Sequence, residues 1–132
     1  MFEINESSQA TNEYIHQKIK EYNEHNWGDR KSYNFNIEEN GKVIAGIVGE
    51  STFSTIEIEF LFVDESYRKH GLGTKLLNYV EEKGRREGLK HIYLNTFSFQ
   101  APKFYEKHGY KLLFNIDKCY GDIGQYFYWK DL

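Results

Sequence analysis

Leu61-Phe62-Val63-Asp64-Glu65-Ser66-Tyr67-Arg68-Lys69-His70-Gly71-Leu72-Gly73-Thr74 is the stretch on which the reading of this chain turns. The residues leading into it, from about Thr55 to Val63, alternate as a strand does. Ile56, Ile58, Phe60 and Phe62 fall on one face, and Glu57, Glu59, Leu61 and Val63 on the other. The residues leading out, Leu72, Leu76, Leu77, Tyr79 and Val80, recur at helical spacing. The stretch therefore ends a strand and opens a helix. A helix N-terminus presents about four unpaired N–H groups and a partial positive charge. Gly71 and Gly73 let a ligand approach that backbone with no Cβ in the way, and Arg68, Lys69 and His70 add charge and donors. This is the chemistry of a pyrophosphate site, although two glycines in a plain turn would read the same way. Other phosphate motifs are absent: there is no Gly-x-x-x-x-Gly-Lys-Ser/Thr, and position 76 is Leu where a dinucleotide fingerprint has its third glycine.

Working outward, Thr11 to Tyr22 has helical spacing through Tyr14, Ile15, Lys18, Ile19 and Tyr22. Tyr33, Phe35 and Ile37 alternate as a strand, and Asn40-Gly41 supplies a tight hairpin turn before a return strand through Val43, Ile44, Ile47 and Val48. The helix from Leu72 fades near Gly84 and stops by Gly88. A buried strand is expected over His91–Thr96. Pro102 suits the first turn of a short helix ending at Gly109, and strands over Tyr110–Ile116 and Gln125–Lys130 close the chain. The order α-β-β-β-α-β-α-β-β predicts an α/β domain with a mixed sheet, parallel in the middle and antiparallel at its edges.

The length of 132 residues predicts one domain over 1–132. Seventeen Lys and Arg against twenty Asp and Glu leave a net charge of −3, which argues against a general nucleic-acid binder. The single Cys119 excludes an internal disulfide and a multi-cysteine zinc site, and points to a reducing, cytoplasmic compartment. The five histidines have no paired metal-ligand spacing, so no metal is expected. No signal peptide or apolar run of membrane-spanning length is present, so no membrane partner is expected.

A second motif makes the reading specific. Arg68-x-x-Gly71-x-Gly73 resembles the Arg/Gln-x-x-Gly-x-Gly/Ala motif of the GNAT (GCN5-related N-acetyltransferase) family, and Ala101-Pro102-Lys103-Phe104-Tyr105-Glu106-Lys107-His108-Gly109-Tyr110 is similar to that family's Ala-x-x-Phe-Tyr-Glu-Lys-x-Gly-Phe/Tyr segment. The resemblance implies a largely antiparallel mixed sheet flanked by helices and splayed between the family's fourth and fifth strands, here Thr55–Val63 and His91–Thr96. Acetyl-CoA would lie in the gap as cosubstrate, with its pyrophosphate on the amides of Lys69, His70, Gly71, Leu72, Gly73 and Thr74, beside Arg68. Its pantetheine arm would run along Leu61, Phe62 and Val63, with Ala101 and Phe104 beside it. Many family members carry an Asn three residues before that Ala. Here the position is Ser98, with Gln100 next to Ala101, and either could meet the cofactor arm.

The implied reaction is acetyl transfer to a primary amine of a small molecule or protein. Tyr105 would be the acid, since a phenol with a pKa of about 10 stays protonated near neutrality. Glu59, or its strand neighbour Glu57, would be the base, its pKa raised by burial and by the other carboxylate. Ordinary readings stand beside these: a core tyrosine, and solvated strand-face charge. Cys119 reads as an unreactive loop thiol before the last strand, and Glu81-Glu82-Lys83 with Arg85-Arg86-Glu87 as the solvated face of the long helix. Aromatics in the first helix, the loop Glu24–Ser32 and the C-terminal strands could build an acceptor pocket, and the C-terminal strands could pair in a homodimer. A non-catalytic acyl-CoA-binding or sensor module of the same fold is the alternative, and another nucleotide-binding α/β protein a further one.

Overall fold

The structure is a computed structural model, and it describes residues 1–132. Helix α1 spans Gln9–Glu24. Strands β1 (Arg30–Ser32), β2 (Phe35–Glu39), β3 (Lys42–Thr52) and β4 (Thr55–Val63) follow. A single turn of 3-10 helix at Glu65–Tyr67 leads into α2 (Leu72–Arg86). Then come β5 (His91–Phe97), α3 (Pro102–Lys107), β6 (Lys111–Tyr120) and β7 (Ile123–Asp131). The strands form one sheet of order β1-β3-β4-β5-β7-β6, with β2 paired to β3 beyond β1. Only β4 and β5 pair in parallel; every other pairing is antiparallel. This is the mixed α/β sheet the element order predicts.

The β2–β3 turn has Asn40 at φ +53° and Gly41 at φ +77°, the left-handed pair that an Asn-Gly hairpin supplies. Pro102 sits in the first turn of α3, where its missing N–H costs no helix bond. One face of α2 supplies the core. Leu76, Leu77 and Val80 bury against Ile56, Ile58, Ile92 and Leu94 of the sheet, with Tyr105, Tyr110 and Tyr128 completing the cluster. Each such aliphatic side chain contributes roughly 1.5–3 kcal/mol on full burial.

Register separates the two faces of the sheet. Ile58, Leu94, Tyr128 and Leu112 stand in one row beneath the helices, while Glu57, Tyr93, Trp129 and Lys111 stand in a row on the opposite face. No residue of α1 is buried, so that opposite face is left without a helix over it.

Several local expectations are corrected. The notion of a strand beginning at Tyr33 fails, because Tyr33 lies between β1 and β2; its ring is nonetheless fully buried and its hydroxyl donates to Glu87 at 2.7 Å. Cys119 lies inside β6 rather than in a loop. Glu81 is buried, not solvated. It accepts from the Tyr110 hydroxyl at 2.9 Å and from Lys130 Nζ at 2.9 Å, a satisfied ionic cluster that joins α2 to β7 and to the end of α3.

Candidate active site

β4 does not keep one alternation along its length. Its register with β3 shifts between Val48 and Gly49: Ile58 faces Gly49, Phe60 faces Val48, and Glu59 is the extra residue of a bulge. The bulge inverts the side-chain phase. Leu61 and Val63 turn toward the core, while Phe60 and Phe62 turn out and are 66% and 52% exposed. The expectation that Ile56, Ile58, Phe60 and Phe62 share one face is therefore wrong past residue 58. Gly49 makes the bulge sterically possible, since a Cβ there would stand 2.7 Å from the Glu57 carbonyl oxygen.

Beyond Ile58 and Leu94, β4 and β5 no longer pair. β5 continues against β7 to Phe97, while β4 continues against β3 to Val63. The two strands diverge and leave a cleft of about 710 Å³, walled by Glu59–Val63 on one side and Asn95, Thr96, Gln100, Ala101, Phe104 and Tyr105 on the other. Backbone groups of β4 that would have bonded a neighbour face this opening, and such groups call for a partner.

Arg68 and Gly73 lie at the end of the cleft where α2 begins. Lys69 has φ +70° and Gly71 φ +74°, so the chain turns sharply twice before the helix. The first residue to donate within that turn and helix is Lys75, to Gly71 oxygen at 2.9 Å. The amides of Lys69 through Thr74 make no hydrogen bond to any protein atom. Six successive free donors at a helix N-terminus form an anion cradle, and the space a Cβ of Gly71 would occupy is open. The Arg68 Nε donates to Val63 oxygen at 3.4 Å, holding the guanidinium at the cleft end.

Tyr105 points from α3 into this cleft. It is only 7% exposed, its ring packs edge-on against Tyr110 and Phe104, and its hydroxyl makes no hydrogen bond with the protein. Burial pushes its pKa up to about 12. Glu59 lines the cleft mouth through the bulge. Glu57 stands one step back, outside the lining, between Glu50 and Tyr93 in register. Its carboxyl is raised above the usual range by desolvation first, then by Glu59 and Glu50.

The remaining sequence-predicted residues divide. Gln100 lines the cleft, yet its Oε1 accepts from the Phe97 amide at 2.9 Å and from the Thr96 hydroxyl at 3.2 Å, so it holds the turn after β5. Ser98 lies outside the lining; its hydroxyl oxygen accepts from the Gly124 amide at 3.0 Å and ties that turn to β7. The Thr74 hydroxyl is engaged with His108 Nε2 at 3.0 Å, leaving only its amide to the cradle. Lys69 and His70 are exposed beside the cradle. Phe60, Asn95, Thr96 and Phe99 line the cleft although no sequence motif marks them; for Phe60 the one signal is Gly49, next in β3 to its register partner Val48. No group of three or more His, Cys, Asp or Glu is arranged to hold a metal ion, and no helix is long and apolar enough to cross a membrane.

Residues 1–110 match the Acetyltransferase (GNAT) family. Blasticidin-S acetyltransferase of Streptomyces morookaense is 35% identical over 79 residues, 59% of this chain and 58% of that protein. The matched segment spans about three fifths of the length of the curated relatives. An acetyltransferase of Bacillus cereus superposes over 99% of this chain and 98% of its own, with TM-score 0.84 and 32% identity. Naa50 of Arabidopsis thaliana, in complex with the bisubstrate analogue CoA-Ac-MVNAL, matches 76% of this chain and 73% of its own, with TM-score 0.63 and 25% identity.

Proposed function

The chain belongs to the acetyltransferase (GNAT) family, and from that premise we propose that it moves the acetyl group of acetyl-CoA directly to a primary amine of a basic small molecule. The observation that carries the reading is the run of six unengaged amides, Lys69 to Thr74, opening at one end of a cleft that Tyr105 and Glu59 also line. The amides and Arg68 bind the diphosphate. The unpaired edge of β4 from Glu59 to Val63 takes up the pantetheine arm as a strand would. A β4 amide donates to the oxygen of the thioester as it gains charge, a donor worth roughly 3 kcal/mol in comparable sites.

The amine nitrogen attacks the thioester carbonyl; the C–N bond forms and the C–S bond breaks. Glu59 receives the proton of the incoming ammonium, either directly or through water, and passes it to solvent. Glu57, with its raised carboxyl, is the reserve acceptor one step away. Tyr105 stays protonated across the physiological range, so its free hydroxyl gives its proton to the departing thiolate, and the second proton, shed by the acylated nitrogen, returns to the phenol through water. Phe60, Phe62 and Phe99 give the cleft mouth an aromatic rim, and Glu59 carries no cationic partner there. A basic amine suits that combination, and the name of the Streptomyces relative supports a small-molecule acceptor.

The testing experiment is a panel of amines with acetyl-CoA, followed by release of free thiol. Acceptor-dependent thiol release that is strongest for basic small molecules is expected. Tight acetyl-CoA binding with no amine-dependent release would replace the enzyme by a binding module.

A further inference from the structure

The face of the sheet opposite α2 is aromatic and bare. Phe60, Tyr93, Phe127, Trp129 and Phe114 stand on it in register rows, and none belongs to the buried core. A sheet face that meets water is ordinarily polar. The same chain carries a helix with the converse defect. α1 has Tyr14, Ile15, Ile19 and Tyr22 along one side, more than half exposed in every case, and buries nothing. An isolated helix of 16 residues is marginal in water, because helices draw most of their stability from packing an apolar face.

We infer that α1 of one copy covers the bare sheet face of a second copy, and that the exchange is reciprocal about a twofold axis. Charge fits this occupant. Glu50 and Glu57 stand on the bare face and neither makes a salt bridge, although Lys20 and Arg30 line the recess that Glu50 shares. Lys18 lies within the apolar side of α1, between Tyr14 and Tyr22, where it would meet those carboxylates. The chain's own α1 is carried elsewhere. Its C-terminal part, at Lys20 and Glu24, sits beside Glu50 at a recess shared with Trp27 and Arg30, and no residue of the helix is buried. The size is adequate as well. A 16-residue helix is about 24 Å long and about 10 Å wide, so two such contacts remove roughly 1,000 Å² from water, the threshold of a specific interface.

The test reads oligomeric state by light scattering and native mass spectrometry on the full chain. The wild type is expected at twice the chain mass. Ile15→Asp with Ile19→Asp, on the helix, and Val48→Asp, on the bare face, are each expected as monomers. All three positions are solvent-exposed, so their circular dichroism and near-native melting confirm folding. A wild-type monomer, or a dimer that survives either the helix substitutions or Val48→Asp, overturns the inference. Hydrogen exchange on the wild type gives a readout free of any variant: α1 amides are expected to gain protection as protein concentration rises, and coil-like exchange at every concentration refutes the docking.

Discussion

The β4 bulge is the feature on which the cleft depends, and Gly49→Ala tests it. A Cβ at Gly49 would lie 2.7 Å from the Glu57 carbonyl oxygen, whereas ordinary contact begins at 3.4 Å, so something must move by about 0.7 Å. Gly49 itself is held. Its amide donates to Asn34 Oδ1 at 3.1 Å, and its carbonyl accepts from the Tyr33 amide at 2.9 Å. The displacement therefore falls on Glu57 and on the bulged Glu59 beyond it, which sets the phase of Phe60 to Val63. Overpacking of this kind costs roughly 1–3 kcal/mol, a fall in Tm of a few to about 12 °C. Misplacement approaching 1 Å in a reacting site lowers turnover by up to about a hundredfold. The assay pairs thermal unfolding with kcat for acetyl-CoA and the best amine of the panel. Gly46→Ala, on the same strand, is the control, because its Cβ meets nothing closer than 3.6 Å. If Gly49→Ala keeps both the Tm and the turnover of Gly46→Ala, the bulge does not organise the site.

Tyr105→Phe is expected to lower kcat by about 10²-fold or more while leaving acetyl-CoA affinity near wild type, since the hydroxyl has no structural partner to lose; unchanged turnover removes Tyr105 from the acid role. Gly71→Glu puts a strained, anionic side chain at φ +74° into the open cradle, and calorimetry should find acetyl-CoA binding abolished with the fold intact; wild-type affinity would remove the diphosphate from this loop. Glu87 is pulled down to about 2, chiefly by the Lys31 ammonium and next by the Tyr33 hydroxyl, with Lys83 adding to both. A carboxyl whose folded pKa lies below its unfolded 4.5 adds stability above that value and loses it as pH falls toward 2. Glu87→Gln should therefore melt earlier than wild type at pH 7, the difference closing between about pH 4.5 and 2; a gap independent of pH refutes the linkage.

The parts of this protein written in local residue chemistry were legible in its sequence. Asn40-Gly41 announced a left-handed turn because few other pairs tolerate one, and the helix start at Gly71–Leu72 was marked by its glycines and the apolar spacing behind it. Features that arise only when two strands meet were not. Nothing in Thr55 to Val63 says that Glu59 is an extra residue; its signature is the missing Cβ of Gly49, on another strand. Likewise the run from Glu81 to Glu87 looks uniformly solvated. Glu81 is drawn inside by Lys130 and Tyr110, which lie 49 and 29 residues away.

That difference bears on how the site is built. Its two recognisable motifs supply groups, the cradle amides and Tyr105, and each is set by the element it sits in. The cleft between them comes from a disagreement in sheet pairing: β5 follows β7 while β4 follows β3. Antiparallel partners on both flanks hold the two strands apart, so the opening is part of the folded sheet and needs no ligand to pry it open. A preformed gap loses little free energy to rearrangement on binding. Substitutions that weaken β6–β7 pairing, far from any reacting atom, should then loosen β5 and cost acetyl-CoA affinity before they cost chemistry. Replacing Phe127, which stacks on Phe114 with ring centroids 4.4 Å apart, by Ala is the case to measure: a higher KM for acetyl-CoA at constant kcat is expected, and a fall in kcat alone would mean that the outer strands do not set the cleft.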